Sequence, residues 1–283
     1  IEPDYIAPKG PRLPTFPVAN QDDYDSFLKW KEKVGSTIPE DKAYLRYKCI
    51  EGFKKNLGHL DSDQKEDYWD RVKLELSVLE DQNFSSYMLI VSDYINWAKQ
   101  RMPVGPARGS AAGSLVANLT GITDIDPIEH DLIFERFHNK QKKSFPDIDT
   151  DFSDPGLVKD YIKEKYGSDK VASISNWSTL SPKVVIKDVA RSLRLGGDKS
   201  AAFKISNQIT SIMPDAKNLQ SAMKDSAQFS AYMTRYPELY KYGEKLQNLT
   251  RNWSVHAAGV VISDDPLYET VPLRIDDDGH VVT

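Results

Sequence analysis

The chain has 283 residues, 40% of them hydrophobic and 28% charged, with a formal net charge of −5, a composition that suits a globular protein able to bury a sizeable core in one large domain or two smaller ones. A single cysteine, Cys49, excludes an intramolecular disulfide and fits a reducing, cytoplasmic setting. No apolar run approaches the roughly 20 residues that cross a bilayer; the first residues carry no signal-peptide pattern, and a start at Ile1 rather than Met suggests a piece of something longer.

In chain order, residues 1–20, with Pro3, Pro8, Pro11, Pro14 and Pro17, read as an extended arm. From residue 22 to about residue 100 the pattern is mostly helical, interrupted near residues 36–41 and 58–63. In the last of these helices, residues 86–100, Tyr87, Ile90, Val91, Tyr94, Ile95 and Ala98 recur at helical spacing and face a core. Met102-Pro103 ends it. Ser110 is placed to cap a helix reaching about Thr120 and closed by Gly121. Asp126-Pro127-Ile128-Glu129 supplies the cap, first-turn proline and acidic third residue of another helix, reaching about Phe137.

Residues 144–152 then alternate as a strand. A turn at Asp154-Pro155-Gly156 leads to a helix over residues 157–166 and a short apolar strand over residues 171–174. Ser181-Pro182 starts a helix that Gly196-Gly197 terminates, and further helical stretches run to about residue 249. Gly259-Val260-Val261-Ile262-Ser263 is β-rich, and Leu273-Arg274-Ile275 and His280-Val281-Val282 flank Asp277-Asp278-Gly279 as a hairpin. There is no internal repeat.

The chemistry concentrates in two segments. In Ser144-Phe145-Pro146-Asp147-Ile148-Asp149-Thr150-Asp151-Phe152, side chains two apart share a face, so Asp147, Asp149 and Asp151 project together. Three carboxylates on one face repel unless a cation sits among them, and hard oxygen ligands suit Mg²⁺ or Ca²⁺. Neighbouring carboxylates about 6–7 Å apart at their Cα atoms can reach one metal or bridge two, and two-metal phosphoryl transfer uses ions about 3.5–4 Å apart. A calcium loop is excluded, because Phe152 stands where its glycine belongs and Val158 where its bidentate glutamate belongs. An acidic edge strand that merely avoids aggregation is the competing account. The flanking Phe145, Ile148 and Phe152 argue against it, since unpaired carboxylates in a half-buried strand are costly.

The second segment, Gly105-Pro106-Ala107-Arg108-Gly109-Ser110-Ala111-Ala112-Gly113-Ser114, is suited to an anion. A helix starting at Ser110 would offer free N–H groups and a positive dipole end. Gly109 permits close backbone approach, and Arg108 brings a planar fork for phosphate oxygens. Neither the P-loop nor the dinucleotide fingerprint matches, and an ordinary capped turn is the alternative. Metal and anion together suggest phosphoryl transfer.

Charge is unevenly spread: residues 177–250 hold 11 Lys/Arg against 6 Asp/Glu, which leaves the rest of the chain at −10. An acidic body with one basic segment suits a metal-dependent enzyme that grips a polyanion in one place; a solvated helical surface gives the same count. On the helix after Ser181, Lys183, Lys187, Arg191 and Arg194 fall on one face, opposite Val185, Ile186, Val189 and Leu193. With five histidines and no Cys/His cluster a zinc site is not expected, and His256 reads as structural or close to nucleic acid.

These motifs resemble a known family. The run from Pro103 through Ser114 to Ala117, then Ile122-Thr123-Asp124-Ile125-Asp126-Pro127, Phe134-Glu135-Arg136-Phe137 and Pro146-Asp147-Ile148-Asp149-Thr150-Asp151-Phe152 are similar to the palm of C-family bacterial replicative DNA polymerases, the polymerase III alpha subunit. Lys183-Val184-Val185-Ile186-Lys187-Asp188-Val189-Ala190-Arg191, Thr250-Arg251-Asn252 and His256-Ala257-Ala258-Gly259-Val260-Val261-Ile262 extend the likeness, which begins near Pro11 and runs unevenly to the end.

The resemblance implies an α+β fold: a nucleotidyltransferase palm like that of polymerase beta, with a mixed sheet and helices, plus a helical thumb insertion. The palm's first part would be residues 21–176, the basic thumb residues 177–250 and the palm return residues 251–283. It implies two-metal transfer of a nucleotide from a dNTP to a primer 3′-hydroxyl with Mg²⁺. Asp147 and Asp149 would be two of three catalytic, metal-holding aspartates, with Asp151 supporting. Arg108, Gly109, Ser110 and Arg136 would contact the nucleotide, and Lys183, Lys187, Arg191 and Arg194 the primer–template DNA. Expected partners are DNA, dNTP, and the remaining polymerase domains (PHP and fingers) or replisome subunits, without a membrane.

The sequence also departs from the family. Ala107 and Ala111 stand where the family has glycines, which tightens the loop. The third catalytic aspartate would lie on a strand after the hairpin, and Asp276, Asp277 and Asp278 are poor substitutes, so the chain alone is expected not to polymerise. The alternatives are a catalytically dead DNA-binding or assembly module and another nucleotidyltransferase of the same superfamily.

Overall fold

The computed structural model describes residues 14–16, 21–142, 144–277 and 279–283. The arm expected over residues 1–20 lies outside the described residues apart from Pro14, Thr15 and Phe16, and so does Asp278 of the hairpin turn. The helices are α1 (Gln21–Val34), α2 (Glu40–Leu57), α3 (Ser62–Asp81), α4 (Ser85–Lys99), α5 (Leu115–Leu119), α6 (Phe134–Phe137) and α7 (Pro155–Tyr166), then α8 (Pro182–Ser192), α9 (Lys199–Ser211), α10 (Leu219–Asp225), α11 (Ala227–Arg235) and α12 (Pro237–Leu246). Strands β1 (Val171–Thr179), β2 (Thr250–Ile262), β3 (Arg274–Ile275) and β4 (Val281–Val282) form one sheet in the order β2-β1-β4-β3. β1 runs parallel to β4, with Ser173 opposite Val282, and β3 is antiparallel to β4. This is the expected α+β class, a mixed sheet with helices.

The chain divides into two compact units, Ile1–Ser173 with Ala258–Thr283, and Ile174–Ala257. In the first, Phe27, Leu45, Leu79, Met88, Ile95, Leu115, Phe134 and Phe137 are fully buried in one cluster drawn from α1 to α6. α2 contributes Ala43, Tyr44, Leu45, Tyr47, Cys49, Phe53 and Leu57 to this cluster, and α4, whose middle is apolar on more than one face, packs beside it. A smaller cluster of Ala98, Val158, Ile162 and Val171, joined by Val260 and Ile262, seats the sheet on α7 and the end of α4. In the second unit Val185, Ile186, Val189, Ile209, Leu219, Phe229, Met233 and Leu239 bring α8 to α12 around a separate core. None of the described helices is long and apolar enough to cross a membrane.

Several boundaries differ from expectation for identifiable reasons. α3 starts at a reciprocal cap in which the Gln64 amide donates to the Asp61 carboxylate at 2.8 Å and the Asp61 amide donates to the Gln64 side chain at 3.2 Å. The Asp126 carboxylate likewise accepts from the amides of Ile128 and Glu129, but this turn does not propagate. Asp131 takes a positive φ of 51°, the Leu132 amide turns back to the Pro127 carbonyl at 2.7 Å, and only α6 follows. β2 begins at Thr250, well before the apolar run at Gly259; its first half is mostly exposed, with Trp253 and Val255 half-buried at alternate positions. Serine side chains tie that half to β1, Ser178 Oγ to the Asn252 carbonyl at 3.3 Å and Ser254 Oγ to the Asn176 carbonyl at 3.4 Å.

α2 and α5 meet backbone to backbone at Gly52. A Cβ on Gly52 would lie 1.9 Å from the carbonyl oxygen of Leu119 and 2.7 Å from its carbon. Gly52→Ala should gain up to about 1 kcal/mol in helix propensity, but the obstacle is backbone and must move, at a cost of roughly 1–3 kcal/mol or more. The clash wins, so urea unfolding of Gly52→Ala should show a lowered midpoint. A raised midpoint would mean that the two helices separate freely.

Candidate active site

The acidic segment does not join the sheet. It is an extended stretch whose one ladder contact among the described residues is an antiparallel bridge between Val104 and Phe152. The alternation read from the sequence persists in its exposure, since Asp147, Asp149 and Asp151 are exposed while Phe145, Ile148 and Phe152 are half-buried. The apolar residues hold it to α4: the Phe145 ring lies 5.3 Å from Phe84 and 6.1 Å from Tyr87, and Phe152 lies 6.2 Å from Tyr94. An extended segment keeps the period of two without strand neighbours, because aromatic packing along one face fixes which side chains point outward.

The same bridge brings the glycine-rich loop to the acids. The Gly105 amide donates to the Asp151 carbonyl at 2.9 Å and the Ser153 amide to the Pro103 carbonyl at 3.3 Å. Glycine at position 105 eases the approach, since a Cβ there would lie 3.2 Å from the Asp151 Cβ. Three residues on, Arg108 Nε lies 2.7 Å from Asp151 Oδ2. Both side chains are more than 60% exposed, so this ion pair adds little stability, on the order of 1 kcal/mol or less. Its meaning is positional: it sets the guanidinium beside the acidic run, and an anionic ligand could draw it away at small cost. Gly109 has a φ of +56° and a Cβ added there would have nothing within 4 Å, so it supplies the left-handed turn and leaves open space above the loop.

The cap expected at Ser110 lies four residues later. Gly109–Gly113 forms a 3₁₀ turn, and Ser114 caps α5 by accepting from the Ala117 amide at 3.1 Å. The N-terminus of α5 is not open to a ligand. The fully buried carboxylate of Glu75, on α3, accepts from the Leu115 amide at 2.9 Å, the Val116 amide at 3.0 Å and the Ser114 hydroxyl at 2.8 Å. Burial pushes the Glu75 carboxyl upward, while those donors and Arg71 act against it. Any anion in the loop therefore has the 3₁₀ turn, Ser110 and Arg108 to meet, and not a helix end.

Two further groups were hidden in apolar stripes. Tyr87, counted as a core position of α4, sets its hydroxyl near Asp147, the Ile148 amide and Asp149; burial first, then the two carboxylates, push it up to about 12. It therefore stays protonated beside the acids at neutral pH. Glu75 sits three residues after Val72 and four before Leu79 on the buried face of α3, where a charged residue amid apolar neighbours is the signal that could have revealed it. His138 is also buried, with Nε2 2.6 Å from Gln82 Oε1, and burial lowers its pKa. A neutral, enclosed imidazole of this kind is structural.

Arg136 is exposed on α6, and Asp147 and Asp149 have no hydrogen-bond or ion-pair partner among the described residues. Two exposed, unpartnered carboxylates fit a hard divalent ion that takes one or two protein carboxylates and completes its shell with water and phosphate. Among the described residues no group of three or more His, Cys, Asp or Glu side chains is arranged to hold a metal. A groove of about 660 Å³ lies elsewhere in this unit, between α2 and α4, lined by residues such as Lys48, Asn96, Trp97 and Tyr161 and by none of the loop or acidic residues.

In the second unit Lys183, Lys187 and Arg191 are exposed on α8, whose other face buries Val185, Ile186 and Val189. Arg194 does not continue that stripe. α8 ends at Ser192, and Arg194 has a φ of +50° in the turn that Gly196 and Gly197 complete. Arg191 is paired with Asp188, whose other oxygen lies 2.9 Å from Arg251 on β2. Lys183 and Lys187 remain the unpaired cations of the α8 face among the described residues.

Residues 43–283 match the family profile described as the bacterial DNA polymerase III alpha NTPase domain. The chain is 37% identical over 285 residues to DNA polymerase III subunit alpha of Aquifex aeolicus (strain VF5), covering 87% of this chain and 24% of that protein. It is 42% identical over 255 residues to the Thermus aquaticus subunit (87% and 21%) and 36% over 280 residues to the Bacillus subtilis (strain 168) subunit (96% and 23%). It thus spans between a fifth and a quarter of the length of these relatives. With the profile matched across most of its length, the chain belongs to the bacterial DNA polymerase III alpha family.

Proposed function

We propose that this chain is the palm and thumb portion of a DNA-directed DNA polymerase that transfers a nucleotide from a dNTP to a primer 3′-hydroxyl. One observation carries this reading: the pairing of Gly105 with Asp151 and of Arg108 with Asp151 puts an anion-suited loop and an exposed acidic run side by side. Chemistry on a triphosphate needs both, a cationic clamp for phosphate and carboxylates for the metal.

Asp147 and Asp149 would hold Mg²⁺, with Tyr87 keeping a protonated hydroxyl near both. Bound Mg²⁺ would supply two things, a lower pKa for the attacking hydroxyl and neutralisation of the leaving pyrophosphate. Arg108 would pass from Asp151 to the triphosphate, joined by Gly109, Ser110 and Arg136, so Asp151 supports the site by parking the guanidinium. The unit Ile1–Ser173 with Ala258–Thr283 would be the palm and Ile174–Ala257 the thumb. Lys183, Lys187, Arg191 and Arg194 would meet primer–template DNA, Arg191 more weakly because Asp188 holds it. The remaining polymerase domains or replisome subunits would complete the enzyme in the cytoplasm.

Mg²⁺ should tighten dATP binding by the 283-residue chain about tenfold or more, as expected when a metal bridges carboxylate and phosphate. Asp147→Asn or Asp149→Asn should remove that gain while leaving stability within about 0.5 kcal/mol, the usual limit for exposed substitutions. The chain alone should give no primer extension. Calorimetric titration and a gel assay check both, and metal-dependent binding that survives both substitutions would place the ion elsewhere.

The second unit has its own test. Replacing Lys187, Arg191 and Arg194 with Gln should reduce the slope of log affinity for duplex DNA against log salt by about 2, roughly one per free phosphate contact with Arg191 discounted. An unchanged slope would leave these residues as solvated surface charges.

A further inference from the structure

We infer that Arg71 and Glu75 are positioning residues for the nucleotide site, holding the Gly109–Gly113 turn and the segment that leads into Arg136 in one fixed frame. This inference rests on the reading of that loop as a triphosphate site and adds two residues that touch neither substrate nor metal.

The geometry is a chain of buried contacts. Arg71 and Glu75 lie one turn apart on α3, with Arg71 Nε 2.7 Å from Glu75 Oε1. Glu75 is fully buried and takes up the N-terminal amides of α5 directly after the loop. Arg71 Nη2 donates to two carbonyls far apart in sequence, Gly113 at 2.8 Å and Leu132 at 3.1 Å. Gly113 ends the 3₁₀ turn that begins at Gly109, and Leu132 immediately precedes Ile133, the N-cap of α6. A Cβ on Gly113 would lie 2.8 Å from the Ile133 carbonyl oxygen, so the two segments meet backbone to backbone at this point. One guanidinium thus fastens the end of the loop bearing Arg108 and Ser110 to the start of the helix bearing Arg136.

A buried ion pair is a poor choice if stability is the only requirement, because well-packed apolar residues of the same volume do as well or better. What the pair supplies is direction. A planar fork satisfies one carboxylate and two carbonyls at set angles, which a lysine ammonium, a single compact charge, does not reproduce. Triphosphate recognition needs that precision, since a displacement of about 1 Å can cost on the order of 100-fold.

The test measures dATP binding with Mg²⁺ by the 283-residue chain, at a temperature well below the melting point of each variant. Arg71→Lys should weaken binding about tenfold or more, within the range for a displaced binding group. In an Arg136→Ala background the same substitution should have little further effect, because the partner it aligns is gone. Ser114→Ala, which removes one donor to Glu75 and keeps the ion pair, is the milder variant and should weaken binding by about fivefold, the equivalent of one net hydrogen bond. Lys73→Ala, exposed on the same helix, should change nothing. Normal affinity in both folded anchor variants, or losses that simply add to that of Arg136→Ala, would overturn the positioning role while leaving the nucleotide site intact. Absence of binding by the unmodified chain would instead remove the site and the anchor's purpose with it.

Discussion

Two backbone hydrogen bonds decide what this molecule can do. The amide of Gly105 on the Asp151 carbonyl, and that of Ser153 on the Pro103 carbonyl, fold the glycine-rich loop, proposed above to take an anion, onto the acidic segment proposed to hold a cation. Without that return, Arg108 and the aspartates would belong to unrelated stretches of surface. Each bond contributes only about 1 kcal/mol net, so the arrangement relies on what lies beneath it. Phe145 and Phe152 pack on α4, and glycine at position 105 removes the Cβ that would otherwise press on Asp151.

The site separates its supports from its reagents. Glu75, Arg71 and Tyr87 are buried or half-buried and tied to backbone or neighbouring rings, whereas Arg108, Asp147, Asp149 and Arg136 stand exposed. The physical reason is solvation. In the proposed function, carboxylates that accept and release a metal, and a guanidinium that exchanges one anion for another, need water on one side and no strong permanent partner. The groups that hold them need the opposite, a low-dielectric setting where hydrogen bonds are directional and costly to break. The exposed Arg108–Asp151 pair is weak enough to trade, and the buried Arg71–Glu75 pair is not.

Much of the fold was legible because helices with an apolar stripe announce themselves. α4 and α7 fall within two residues of their expected limits, as does the start of α8. The hairpin at β3 and β4 also follows from its turn residues. What the sequence concealed has common causes. Ser110 and Ser114 both suit a cap, and only the buried Glu75 decides that the α-helix starts at the second. The Asp126 turn has every sign of a helix start, yet Asp131 adopts a left-handed conformation and ends it at once. The acidic run has the period of a strand because one side packs on α4, although it joins no sheet. Arg194 fits a helical wheel that the chain has already left. Local pattern fixes which face is wet; tertiary neighbours fix where an element stops. The alternation of Asp147, Asp149 and Asp151 could be read from period alone, whereas Glu75 and Tyr87 could not be assigned a task until Glu75 was seen beneath the end of the loop and Tyr87 beside the acidic run.

The central claim is that one metal site and one phosphate site are shared between Asp147, Asp149 and the loop at Gly109. Pulsed electron paramagnetic resonance on the chain with Mn²⁺ and a non-hydrolysable deoxynucleoside triphosphate reads this directly, through the coupling of the metal to ³¹P. A resolved phosphorus coupling that disappears when Asp149 is replaced by Asn, and again when Arg108 is replaced by Ala, is the predicted result. Bound Mn²⁺ without phosphorus coupling, or a coupling indifferent to both substitutions, would contradict the account.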